Sequence, residues 1–66
     1  MKYLVKHKLF NSYLKTSKWD MLNGIEATPN KYDAEELSEK DAKIIANIFN
    51  TVDGGSSWIV VEKSQE

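Results

Sequence analysis

The chain has 66 residues, of which 41% are apolar and 29% charged, with a formal net charge of −1; this is the make-up of one small globular domain. It contains no Cys, which excludes disulfide staples, Cys-ligated zinc, iron–sulfur clusters and thiol nucleophiles. A domain of this size buries only about 60% of its unfolded surface, so a partner chain is the one reinforcement its composition leaves open.

The opening MKYLVKHKLF is broken by Lys6 before any h-region can form, so no signal peptide is predicted. No stretch approaches the roughly 18 apolar residues of a membrane span. A cytoplasmic protein without membrane contact is therefore expected. Tyr3, Val5 and His7 alternate with Lys2, Lys6 and Lys8, which predicts a strand, although Leu4 intrudes on the second face. Asn11-Ser12 suits a turn, and Tyr13–Thr16 resumes a β-branched and aromatic composition. Asn23-Gly24 fits a type I′ turn, whose two central residues need positive φ. That turn would pair Trp19 with Thr28 and Met21 with Glu26. The prediction is an antiparallel meander with strands at 2–9, 12–22 and 25–28, ended by Pro29-Asn30.

A helix follows. Ser38-Glu39-Lys40-Asp41 fits a relaxed capping box, and Glu39 and Asp41 suit the positive end of the helix dipole. Starting the helix at Asp33 would place Asp41 among the core positions, so the start is set at Ser38. Ala42, Ile45, Ala46, Phe49 and Val52 fall on one stripe and are the expected core face. Residues 31–37 are left as a short turn or strand carrying Tyr32. Gly54-Gly55 stops the helix, and Trp58–Glu62 forms a last strand with Trp58 and Val60 on one face, Ile59 and Val61 on the other. A strand apolar on both faces is expected to be central or covered on both sides. The result is an α+β fold in the order β-β-β-α-β, one helix packed on one face of a small antiparallel sheet. The domain is assigned to residues 1–63, with Ser64-Gln65-Glu66 as a frayed tail.

The near-zero net charge hides an asymmetry: residues 1–18 carry +5 and residues 19–66 carry −6. Lys6, Lys8, Lys15 and Lys18, interleaved with Tyr13 and Trp19, are the types that grip single-stranded nucleic acid by phosphate attraction and stacking. The chain has no Arg, the preferred fork for phosphate and base edges, and Lys on an exposed strand face also discourages edge pairing. The nucleic-acid reading is therefore carried as the alternative.

Apolar surface is in excess. Ile44 and Ile48 widen the helix's apolar sector to roughly 200°, about twice what one packed face requires. Two Trp, three Tyr and two Phe in so short a chain add to the excess. Tyr13, Trp19, Ile44, Ile48 and Trp58 are accordingly the expected anchors for a partner, either a host protein or a second copy in a homodimer. The competing expectation is that residues 29–37 fold over the extra surface, with Tyr32 and Leu37 as the plug.

Catalytic chemistry finds no constellation. The single His7 lies in a Lys-flanked strand without an orienting carboxylate nearby in sequence. One His and dispersed carboxylates give no metal-ligand pattern, and Glu35, Glu36, Glu39 and Asp41 read as a solvated helix start. Asp53-Gly-Gly-Ser-Ser follows a helix and has no Lys, so it is a turn and not a phosphate loop. No Rossmann fingerprint is present. No enzyme, cofactor or metal is expected.

The opening MKYLVKHKLFNSYLK, the strand KWDML, the Tyr of NKY, the small-residue helix SEKDAKIIANIF and the closing strand WIVVEK together resemble the short uncharacterised proteins of bacteriophages and prophages of Gram-positive bacteria. The Lys-, Asn- and Ile-rich composition without Arg is similar to proteins of AT-rich genomes of that kind. The resemblance implies an accessory factor that binds and diverts a host enzyme, a defence complex or the replication machinery. It brings no catalytic motif and no functional residue. The leading expectation is a non-enzymatic binding module that modulates or inhibits a host macromolecule.

Overall fold

Period-two alternation sorts the side chains of the first strand onto two faces, and each face carries its own core. The computed structural model describes residues 2–16 and 26–66. Strands β1 (Tyr3–His7), β2 (Ser12–Leu14), β3 (Ala27–Thr28) and β4 (Trp58–Glu62) form one antiparallel sheet in the order β3-β2-β1-β4. Helix α1 (Glu39–Asp53) packs on one face of it, mainly against β4 and β1. The fold is α+β, as the sequence predicts.

The helix begins and ends where its caps dictate. Ser38 Oγ accepts the Asp41 N–H at 3.2 Å, covering one of the amides orphaned in the first turn. At the other end Gly54 adopts φ 72°, a left-handed conformation cheap only for Gly, and its N–H closes onto the Asn50 carbonyl. Ala42, Ala46 and Phe49 are buried and Ile45 is half-buried against the same cluster. Val52 departs from the expected core stripe and is 52% exposed. Its position lies about a quarter turn round the cylinder from the Ala42–Ala46–Phe49 line, and two small Ala let the helix settle closely on that narrow line.

Hairpin β1–β2 closes through Lys8–Asn11, with Asn11 at φ 53°, a conformation Asn tolerates better than most residues. In the next pair of strands Thr28 pairs with Tyr13 and Ala27 with Leu14, and the Lys15 N–H reaches the Glu26 carbonyl at 3.0 Å. The expected partners of Thr28 and Glu26, Trp19 and Met21, lie outside the described residues. Strand β2 ends at Leu14 among the described residues. Tyr13 and Leu14, consecutive in the strand, are buried on opposite faces. The Asn23-Gly24 turn, Lys18 and Trp19 lie outside the described residues.

Among the described residues β4 pairs with β1 alone, so it is an edge strand, and of the two expectations for its apolar faces, central or covered on both sides, it meets the second. Trp58 and Val60 pack under α1, whereas Val61 joins Leu4, Tyr13 and Ala34 on the other face. Asn50 closes the free edge at Trp58: its Oδ1 accepts the Trp58 N–H at 2.8 Å and its Nδ2 donates to the Trp58 carbonyl at 3.0 Å. One side-chain amide thus stands in for a neighbouring strand.

Residues 29–37 do fold over the second face, but the plug is Ala34 and not Tyr32, which is 74% exposed. Leu37 exchanges two backbone hydrogen bonds of 2.9 Å with Tyr3 and packs with the helix-side cluster. Lys63–Gln65 form a 3-10 turn, and the Glu66 side chain accepts hydrogen bonds from Lys6 and Tyr13 of the sheet.

Candidate functional site

Ile44, Ile48 and Val52 recur every fourth residue and line one stripe of α1. They are 48%, 47% and 52% exposed. The core takes the Ala-rich line of the helix and leaves this second apolar line outside. Two of its three members, Ile44 and Ile48, stand where the sequence places them, and Val52 joins them instead of the core.

Burial removes the other expected anchors that the structure describes. Trp58 is buried with its ring edge-on to Phe49, centroids 5.7 Å apart. Its Nε1–H donates to Asp53 Oδ2 at 2.6 Å, so both ends of the indole are committed. Tyr13 is buried on the second face and its hydroxyl donates to Glu66 Oε1 at 2.9 Å. Both residues hold the core together and present little surface to a partner.

Of the lysines of the alternative reading, Lys18 lies outside the described residues and Lys6 is engaged within the fold. Lys6 Nζ donates to the same Glu66 oxygen at 2.9 Å and lies 5.6 Å from the centre of the Tyr13 ring. Lys6 and Tyr13 face each other across β1 and β2, so the tail carboxylate caps a cross-strand pair. The hydrogen bond from Lys6, followed by that from Tyr13, holds the Glu66 carboxyl below its ordinary value of 4.5. The same hydrogen bond raises the Lys6 ammonium, and burial raises the Tyr13 phenol. Lys8 and Lys15 are exposed but flank the two ends of short β2.

A separate concavity lies where α1 ends. His7, Ser12 and Ala27 occupy the helix-side face of β1, β2 and β3 and, with Phe10, Asp53 and Trp58, line a cavity of about 340 Å³. The His7 ring stacks on Phe10 at 4.8 Å and meets Trp58 edge-on at 4.8 Å. Its Nδ1 is buried without a hydrogen-bond partner among the described residues. Phe10 is 75% exposed although it leans on that ring. The sequence reading set His7 aside as a lone strand histidine and read Asp53 as part of a turn. Their meeting with Phe10 and Trp58 depends on sheet register, which local pattern does not supply.

Among the described residues, no group of three His, Asp or Glu is placed to hold a metal ion. No helix among them is long and apolar enough to cross a membrane. Comparison of the chain with protein-family models, with curated proteins and with solved structures finds no match in any of the three.

Proposed function

We propose that this protein is a non-enzymatic binding module, a phage-type accessory factor that acts in the host cytoplasm by docking on a host protein and modulating or inhibiting it. The observation that carries this reading is the Ile44–Ile48–Val52 stripe, an exposed apolar line on a helix whose core face is already filled. Apolar residues at i, i+4 and i+8 are the anchors with which a helix enters a partner's groove. The partner's groove supplies the surface that this small chain lacks. Pairing of Lys6 with Glu66 takes one of the four lysines out of the nucleic-acid alternative.

The test uses wild type and the double variant Ile44→Asp/Ile48→Asp as baits in host lysate, with sedimentation of each alone. Both sites are exposed, so the variant is expected to keep its fold by circular dichroism. A protein retained by wild type and lost by the variant is the expected result. Equal retention by both baits would sink the reading. A dimer seen by sedimentation in wild type and lost in the variant would replace the host partner with a second copy. An oligonucleotide shift at low salt that the variant preserves would move the function to the lysines.

A further inference from the structure

Three features lie apart from the α1 stripe: the Leu9-Phe10 hairpin tip, the free edge of β4 and the cavity at the C-terminal end of α1. The tip amounts to two side chains, one of them resting on His7. The edge is closed at Trp58 by Asn50. The cavity has both shape and sign.

We infer that the cavity lined by His7, Phe10, Ser12, Asp53 and Trp58 binds a small organic cation, an ammonium group carried on an apolar body. Its volume of about 340 Å³ is at the lower end of the range for small-molecule sites. Its lining includes the rings of Phe10 and Trp58, and such aromatic faces carry the negative side of a quadrupole that attracts cations. Ser12 Oγ spends its proton on the Phe10 carbonyl at 3.3 Å, which leaves its lone pairs to accept from an ammonium N–H.

The sign of the site comes from Asp53. It is the last residue of α1, where unpaired carbonyls already give the helix its negative end. A carboxylate there adds to that potential, and the last turn has no basic residue to offset it. Asp53 forms no ion pair among the described residues; its observed partner is the neutral indole N–H of Trp58. An anion entering the cavity would meet this potential unfavourably, and a neutral molecule would gain nothing from it. A cation answers both the carboxylate and the rings.

The inference does not depend on the α1 stripe, and its experiment reads a different surface. Isotope-labelled protein is titrated with 2-phenylethylammonium, with neutral 2-phenylethanol and with anionic 3-phenylpropanoate, following the Trp58 indole N–H and the Phe10 and Ser12 amides by NMR. The cation is expected to bind about tenfold more tightly than the alcohol, the size that one cation–π contact plus one partly exposed ion pair supplies. The anion should bind most weakly. Asp53→Asn keeps an acceptor for the indole but removes the ion pair, so the preference for the cation should fall from about tenfold to about threefold, the share that the cation–π contact alone supplies. Phe10→Ala, at an exposed position, should weaken both ligands. A capped lysine binding as tightly as 2-phenylethylammonium would assign the cation to a lysine side chain of a partner; weaker binding would assign it to a free arylalkylamine. The inference is overturned if alcohol or anion equals the cation, if Asp53→Asn leaves the preference undiminished, or if no saturable shift reaches these three groups.

Discussion

The two faces of the sheet are sealed by different means. On one, Val5, Leu14 and Trp58 meet Ala42, Ala46 and Phe49 of a regular helix. On the other, Leu4 and Tyr13 are covered by Ala34 of an irregular loop and by the carboxylate of Glu66, with Val61 alongside. The first face is apolar packing with capped helix ends. The second is a smaller apolar patch whose rim is closed by polar bonds. Leu4 is nevertheless fully buried, so loop and tail exclude water from their side as completely as the helix does at its centre. A 66-residue chain without disulfides thereby gets two thin cores from a single four-stranded sheet.

The sharpest way to break the comparison is to hollow out each face in turn. Phe49→Ala should cost about 4 kcal/mol and Leu4→Ala about 3 kcal/mol in urea or thermal unfolding, as buried large-to-small changes do. With a total stability on the order of 3–10 kcal/mol for this length, Phe49→Ala is expected to leave much of the protein unfolded at 37 °C. A loss below about 1 kcal/mol for Leu4→Ala would show that the loop collapses into the space and that the second face is only draped.

A smaller effect separates the covered edge from both faces. Asn50→Ala leaves the N–H and carbonyl of Trp58 without their partners on the free edge of β4. A cost of about 2 kcal/mol is expected, together with faster amide exchange at Trp58 than at Val5. Unchanged exchange at Trp58 would mean that the amide does not act as a surrogate strand.

The smallest effect tests the polar rim. Because the folded-state pKa of Glu66 is lowered, its contribution is complete above the ordinary value of 4.5 and is lost as the pH falls through the folded value. Wild type should therefore lose more stability than Glu66→Gln on acidification below that value, by less than about 1 kcal/mol for so exposed a pair. Glu36, lowered by its hydrogen bond from Lys63, titrates in the same direction in both proteins and cancels in the comparison. Parallel acid curves for the two proteins would show that the tail carboxylate adds nothing to the second face.

Those faces also show how far local pattern carries. The Ser38 cap, the Gly54 stop and the Ala42–Ala46–Phe49 line are all legible, because each depends on residues within a few positions of one another. Leu4 is visible as an exception to alternation, but its burial depends on Ala34, thirty residues away in the chain. The pairing of Tyr13 with Thr28 and Leu14 with Ala27 is not legible in the sequence, because a turn signal is local and these partners are more than ten residues apart. The exposure of Ile44 and Ile48 is legible from helix geometry. The burial of Trp58 and Tyr13 is not, because an aromatic residue reads alike in a core and at an interface until its neighbours are known.

What the sequence by itself determined is the class of fold, the extent of α1 and the excess of apolar side chains along it. These follow from periodicity and capping, which act over one or two turns of chain. Tertiary structure alone decided which apolar side chains stay outside, that the tail carboxylate closes the second face, and that an acid at the end of α1 lines one cavity with His7. Each of those outcomes brings together residues distant in the chain, and only the competition of all elements for the two faces of one sheet selects among them.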